Sequence, residues 1–318
     1  LELAKKYVEV FAAKGADAIK FQTRSNKELF SKDAYNKEYS SENAFAKKYG
    51  HHREKLELSF KDLAILKKLC KKNKVKFMST PFDLTSAKKL KKLGVDVFKI
   101  SSFDLGNLPL INLVSKMKKP IVISTGGGKI KEIKESVKIL KKNKANFSVL
   151  HCVSEYPCNV DNLGLEKINK LKKLFPKTCI GLSDHFNGIL SGPVAYMKGA
   201  RVFEKHVTFN RSWKGTDHNF SMEPEGFRKF IRDIRRVPKM MKEKSVNTLG
   251  KEKVFLKLGK SIVANKDINP GTKITIDHLN GVIFNKQYIP IRESYSLIGK
   301  KLKIKVKKGD LILRSYVK

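Results

Sequence analysis

The feature that most restricts this chain is a regular alternation of two periodicities. Seven short apolar runs read as strands: AIKFQT (18–23), VKFMSTP (75–81), DVFKISS (96–102), PIVISTG (120–126), FSVLHCV (147–153), CIGLSDH (179–185) and RVFEKHVT (201–208). Amphipathic helical stretches separate them near 60–73, 84–94, 107–118, 129–143, 163–175 and 189–199. Such βα repetition predicts a parallel sheet covered by helices. Seven visible strands behind an opening helix, LELAKKYVEVFAAKGAD, point to an α/β fold of TIM (β/α)8 barrel type whose first strand lies ahead of Leu1. An open doubly wound sheet is the alternative, but no Gly-rich dinucleotide turn follows the first strand. STGGGK (124–129) precedes a helix without Walker spacing. It reads as a βα loop able to hold a phosphate on backbone N–H groups.

The pattern breaks after the helix that follows the seventh strand. Residues 1–242 form the expected barrel domain, 243–258 a linker, and 259–318 a small, mostly β domain with turn signals at NPGT and KKGD. No apolar run is long enough for a membrane span. The charge is strongly positive, with 68 Lys+Arg against 30 Asp+Glu and a net +38. The lysines repeat between apolar stripes on every expected helix, as a solvated surface does. No basic stripe interleaved with aromatics appears, so nucleic acid is not the expected partner, and a positive field suits small anionic substrates better. None of Cys70, Cys152, Cys158 and Cys179 forms a CxxC pair. Cys152 and Cys179 fall in expected buried strands, which fits a reducing cytoplasm.

In a barrel, chemistry sits where strands end and βα loops begin. The strand ends present Lys20 and Gln22; Ser79 and Thr80; Lys99, Ser102 and Asp104; Ser124; Glu155 and Tyr156; Ser183, Asp184 and His185; and Glu204 and His206. Lys20 and Lys99 lie in mid-strand. Either could snorkel outward between helices. Two such lysines in register with strand-end hydroxyls favour a phosphate or carboxylate site. His185 and His206 end consecutive strands, and neighbouring strands lie about 4.8 Å apart. Two imidazoles so placed can share one divalent metal, with Glu204 joining directly or through water. Two hydrogen-bonded core histidines are the alternative. Two nitrogen ligands, an oxygen and open positions suit a Lewis-acid ion such as Mn²⁺ or Zn²⁺.

Taken together, IKFQT, MSTPFD, FKISSFD, ISTGG, LHCVSEYP, GLSDH, EKHVTFNRSWKGTDHNFSMEP and the tail SIVANKDINPGT…LIGKKL resemble the sialic acid synthase (N-acetylneuraminate synthase) family. The resemblance runs through nearly the whole chain. It implies a TIM barrel followed by an antifreeze-like (SAF) domain, in a domain-swapped homodimer in the cytoplasm. It implies condensation of phosphoenolpyruvate with N-acetylmannosamine or its 6-phosphate, giving a nine-carbon 2-keto acid and phosphate. The alternatives are synthesis of legionaminic or pseudaminic acid, or another phosphoenolpyruvate–aldose condensation.

Lys20, Thr80, Lys99, Ser102, Ser124 and Ser183 match the phosphoenolpyruvate positions. His185 and His206 match the ligands of a divalent metal, Mn²⁺ first, with Mg²⁺ or Co²⁺ as alternatives. Gln22, Tyr156 and Asp217 match positions near the acceptor sugar. Asp104 joins the expected substrate groups, and Lys99, Glu204, His185 and His206 the catalytic ones. Family members carry an initial strand with a Glu and an Asn-His pair, which is not in this sequence, and an Arg-Pro motif in the tail that GVIFNKQYIPIRES does not contain. SWKGTDH and YGHHREKLELS look more like members that use a phosphorylated sugar, with His51, His52 and Arg53 as candidates for its phosphate. Ice binding is not expected, because KLKIKVKKGD is too strongly charged for a flat ice-binding face.

Overall fold

A computed structural model describes residues 1–318, which fall into two compact units, Leu1–Met241 and Lys242–Lys318. The first unit carries the seven expected strands: β1 (Ala18–Thr23), β2 (Lys76–Pro81), β3 (Val97–Ile100), β4 (Ile121–Ser124), β5 (Phe147–Cys152), β6 (Cys179–Asp184) and β7 (Val202–Lys205). Every neighbouring pair is parallel and the order is strictly sequential, β1 to β7. A sequential order has no switch point, so the doubly wound alternative is excluded. The sheet winds in the barrel manner but does not close as an eight-stranded barrel. β1 and β7 are its two edges, and the segment ahead of β1 is a helix, Glu2–Ala13, that cannot supply a ladder. A cavity of about 820 Å³ lies between these edges and reaches Lys20, Gln22, Glu204, His206 and Asp217.

Local chemistry explains the helices. Ser59 and Asp62 form a reciprocal capping box that starts Phe60–Lys72, and Asp83 caps Leu84–Leu93. Gly94 ends the latter in the left-handed conformation, at φ +80°. Leu63, Leu66 and Leu90 from these helices meet Phe77, Phe98, Ile100 and Ile121 from the sheet in one buried core. β2 is buried over five consecutive residues, as a strand covered on both faces must be. Cys152 is buried as expected. Cys179 is exposed, because it is the first residue of β6, before the strand passes beneath its helix.

The second unit pairs β8 (Lys260–Ala264) with β9 (Leu279–Ile283) in an antiparallel ladder. Ile262, Ile268, Ile274, Leu297, Leu302, Val306 and Ile312 make its core. The span expected to be a linker contains the helix Lys253–Leu258.

Gly181 marks where β6 and β7 approach closely. A methyl group there would collide with the Val202 carbonyl and the Leu150 side chain. Gly181→Ala is expected to destabilise the first unit by about 1–3 kcal/mol, as overpacking does. Urea denaturation followed by circular dichroism measures this; an unchanged midpoint would show that the two strands yield freely.

Candidate active site at the carboxyl ends of the strands

The ladder between β6 and β7 pairs Ser183 with Glu204 and Asp184 with Lys205. One residue further, the register brings His185 opposite His206, and their ring centroids are 5.4 Å apart. Period-two alternation divides the charges. Lys205 turns to the other side, where its ammonium donates to the buried Asp184 carboxylate at 2.6 Å, and the Ser191 hydroxyl donates to the same oxygen at 2.6 Å. This pair is structural. Glu204 turns to the face it shares with Lys20 and Lys99.

Lys99 is 3 % exposed and points inward, so it does not snorkel. Its ammonium donates to Ser124 Oγ at 2.6 Å and to the Ile100 carbonyl at 2.8 Å, and lies 3.6 Å from Glu204 Oε2. Lys20 donates to Glu204 Oε1 across the gap between β1 and β7. Burial lowers Lys99 from 10.5 to about 8 against the opposing pull of Glu204, which still leaves it a cation near neutrality. Burial alone would raise Glu204. Lys20 and then Lys99 outweigh that and hold it at about 2. The cluster therefore carries two cations against one anion.

Glu204 was expected beside the metal-binding histidines. Its Oε1 accepts from Lys20, while Oε2 lies 3.6 Å from the Lys99 ammonium and has no hydrogen-bond partner. The oxygen that faces His206 is Asp217 Oδ2, 3.5 Å from Nδ1. Burial and then Lys20 push His206 down from 6.5 to about 4, so its imidazole is neutral near pH 7. His185 Nδ1 lies 2.6 Å from the Val153 carbonyl, which fixes the proton there and leaves Nε2 with the lone pair. Burial disfavours the His185 cation, but the adjacent Cys152 thiol reverses this and raises its pKa. Burial would raise the Cys152 thiol, but His185 together with the Ser102 and Ser183 hydroxyls lowers it. The sequence reading took Cys152 for a small buried hydrophobe. The strand pairing that sets it opposite Ser183, two residues before His185 and on the same face, is the signal that reveals it.

Around the imidazoles, Tyr156 stacks at 4.0 Å on His185, and Phe220 sits 5.2 Å from His206. Hydroxyls line the neighbouring strand ends. Ser183 is buried; Thr80 Oγ1 is buried without a partner; Ser102 Oγ accepts from the Gly126 N–H at 2.9 Å. Asp104 was expected to contact substrate. Its oxygens instead take Asn107 Nδ2 at 2.9 Å and Ser101 Oγ at 3.1 Å, closing a local turn. Glu155 is exposed and pairs with Asn162. His151 is buried, with Nε2 2.6 Å from the Leu163 carbonyl.

As metal donors, His185 and His206 both offer neutral-capable nitrogen, and His185 has the backbone partner that such ligands use. No third His, Cys, Asp or Glu completes a closed shell. The pair fits an ion that keeps open coordination positions, and does not fit a closed structural site.

A sequential parallel βα sheet with cations, hydroxyls and imidazoles gathered at its carboxyl ends is a barrel-type α/β framework with its polar groups at the end where such folds carry their chemistry. The chain belongs to the NeuB family, whose model matches residues 7–246. It is 32% identical over 318 residues to the human N-acetylneuraminate-9-phosphate synthase, covering 100% of this chain and 89% of that protein. It is 37% identical over 276 residues to the N,N'-diacetyllegionaminic acid synthase of Campylobacter jejuni, covering 85% of this chain and 82% of that one. Among solved structures, the sialic acid synthetase of Leptospira borgpetersenii, in complex with citrate, is similar with a TM-score of 0.69 and 30% identity, over 79% of this chain and 84% of that chain.

The His206 shift fixes a pH dependence in metal-free protein. Between pH 6.5 and about 4 the unfolded chain binds a proton at this position that the folded chain refuses. Folding stability therefore falls as pH drops through that window, with a slope of up to about 1.4 kcal/mol per pH unit from this group. Glu204 acts lower, its contribution present above 4.5 and lost as pH falls toward 2. His206→Gln should flatten the pH 6.5–4 limb in urea titrations run with a chelator. An unchanged slope would show that His206 titrates normally.

Proposed function

We propose that this chain condenses phosphoenolpyruvate with the open-chain form of an N-acylated hexosamine, N-acetylmannosamine first, to give a nine-carbon 2-keto acid and inorganic phosphate. The observation that carries the reading is the inward-facing pair Lys20 and Lys99 around Glu204, set among Thr80, Ser102, Ser124 and Ser183. An excess cation in a largely desolvated cleft suits a substrate that brings both a carboxylate and a phosphate. Lys99, fixed by Ser124 and Ile100, is pre-positioned to hold the anion without reorganising. Ser102, held by the Gly126 N–H at the start of the glycine loop, stands where phosphate oxygens would be received.

In the reaction, the enol carbon C3 forms a bond to the aldehyde carbon of the acceptor. Water adds at C2, and the C2–O bond to phosphate breaks. The lysines stabilise the charge that gathers on the departing phosphate, and Glu204 keeps them apart and oriented until the substrate binds. Gln22 and Asp217 line the cavity, and we assign them to the acceptor sugar together with Tyr156, which lies against His185. A divalent ion, Mn²⁺ first, held by His185 and His206 would supply Lewis acidity toward an aldehyde oxygen. On the same resemblance we read the second unit as antifreeze-like and the working form as a cytoplasmic homodimer, whose mass light scattering measures. Synthesis of legionaminic acid is the second reading, supported by the 37% identity to the Campylobacter jejuni synthase.

The test is phosphate release from phosphoenolpyruvate with each candidate sugar, with and without Mn²⁺. Lys99→Met should cut kcat/KM for phosphoenolpyruvate by at least about 100-fold, the scale of losing one buried electrostatic contact to the transition state. His206→Ala should abolish Mn²⁺-dependent turnover while circular dichroism shows the fold retained. Full turnover in His206→Ala with unaltered metal dependence would remove the metal role. No phosphate release with any aldose would remove the reaction.

A further inference from the structure

An imidazole has little preference of its own for the direction its ring faces, because the torsion about the Cβ–Cγ bond is broad. What the ring touches decides where its nitrogens point. Five of the seven histidines are tied through a ring nitrogen. His52, a sequence candidate for a sugar phosphate, is buried and accepts the Phe45 N–H at Nδ1 (3.1 Å). His151 and His185 meet backbone carbonyls at 2.6 Å. His218 Nδ1 lies 2.7 Å from the Thr208 hydroxyl, and His278 Nδ1 accepts the Thr275 N–H at 3.0 Å. His51 is exposed and lies against Tyr35. His206 sits at the site without such a tie. Asp217 Oδ2 faces its Nδ1 at 3.5 Å, beyond the roughly 2.7–3.2 Å of a firm N–H···O bond.

What surrounds His206 instead is rings. Phe220 lies 5.2 Å away at 63°, His185 5.4 Å at 61° and Tyr156 6.2 Å at 85°. Phe220 is also 5.5 Å from Tyr156 and 6.2 Å from His185, and Tyr156 is 4.0 Å from His185. The four rings form one closed cluster, each neighbouring the other three. Tyr156, His185 and His206 follow directly on β5, β6 and β7. Phe220 alone arrives from the returning arm of the loop after β7, and it is 1 % exposed. Edge-to-face and tilted contacts of this kind are the ones aromatic pairs prefer.

Phe220 is itself fixed on both flanks. The returning arm joins the end of β7 through a parallel bridge between Val207 and Met222. There the Met222 N–H donates to the His206 carbonyl at 2.9 Å, and the Thr208 N–H donates to the Met222 carbonyl at 2.9 Å. The Ser221 hydroxyl donates to the Asp217 carbonyl, and Arg211 Nε donates to the Ser221 carbonyl at 2.8 Å. The phenyl ring so delivered has no polar atom, so it constrains the imidazoles without occupying their nitrogens.

We propose that Phe220 is a positioning residue: by closing the four-ring cluster it sets the direction of the His206 imidazole, and with it the point at which His206 and His185 share one divalent cation. This rests on the metal role assigned to the two histidines above. A leucine at 220 fills much of the same volume, which cores tolerate, but offers neither ring face nor ring edge. It removes the orientation and keeps the packing.

The test compares the full chain with Phe220→Leu and Phe220→Tyr. Paramagnetic resonance of free Mn²⁺ gives the metal affinity without substrate, and calorimetry with a chelator gives the affinity for phosphoenolpyruvate. Long-range nitrogen-15 spectra of the imidazoles, recorded near neutral pH with a chelator, give their tautomers. Phe220→Leu should weaken Mn²⁺ binding at least about tenfold, the scale of losing a group that orients a metal ligand, and leave phosphoenolpyruvate binding within about twofold. It should also show His206 as a mixture of two neutral tautomers where the unaltered chain shows one, with the proton on the nitrogen that faces Asp217. Phe220→Tyr keeps the ring and should stay within about threefold of the unaltered chain for Mn²⁺. Unchanged Mn²⁺ affinity in Phe220→Leu overturns the positioning role and leaves the metal role standing. Equal loss for Mn²⁺ and phosphoenolpyruvate shows a general loosening of the mouth and overturns it as well. No Mn²⁺ binding by the unaltered chain overturns the metal role and this inference with it.

Discussion

The ion pair between Lys20 and Glu204 is the interaction on which the rest of the site depends. It joins the first and the seventh strand, the two edges that share no backbone hydrogen bond. Around it, Arg235 of the last helix of the unit donates to the Gly15 carbonyl and to Asp17 ahead of β1, and Tyr7 reaches Thr208. These outer contacts are exposed or long and contribute little. The inner pair is desolvated, so each partner would be costly alone. Lys99 tightens the arrangement from the third strand. The geometry that brings the edges together is thus the geometry that creates a net positive cluster of Lys20, Lys99 and Glu204.

The register of a parallel sheet then decides what chemistry faces that cleft. Alternation sends Lys205 to Asp184 and Glu204 to the opposite side. One residue further along, it sets His185 against His206. The two imidazoles differ although they end neighbouring strands. His185 is tied to a backbone carbonyl and to Cys152, while His206 is surrounded by Lys20 and kept neutral.

Much of this was legible before any coordinates. The two periodicities located all seven strands to within about three residues, because buried parallel strands and amphipathic helices differ in pattern as well as in length. The closeness of His185 and His206 followed from their places at consecutive strand ends. What failed was side-chain direction over distance. Alternation gave the correct face for Glu204, but only the curvature that brings β1 near β7 shows that Lys20 takes one of its oxygens. Asn107 and Ser101 close a turn on Asp104, a local engagement that strand-end position does not reveal. The exposed Cys179 fails for a similar reason, since periodicity does not show where helix cover begins.

The net charge of +38 illustrates the same limit from the other direction. Composition treats every lysine alike, yet the cations differ in what holds them. Most lie on helix faces, where water screens them within about a Debye length. Lys99 is buried and anchored by a hydroxyl and a carbonyl. Arg24 is anchored by a carboxylate and an aromatic ring, and Arg53 is left without an acid. An anion arriving at the mouth is drawn by the general field but gains a specific contact only where the cation has already lost its water and its freedom. Lys99 is such a cation, held by the Ser124 hydroxyl and the Ile100 carbonyl, whereas the helix-face lysines are not.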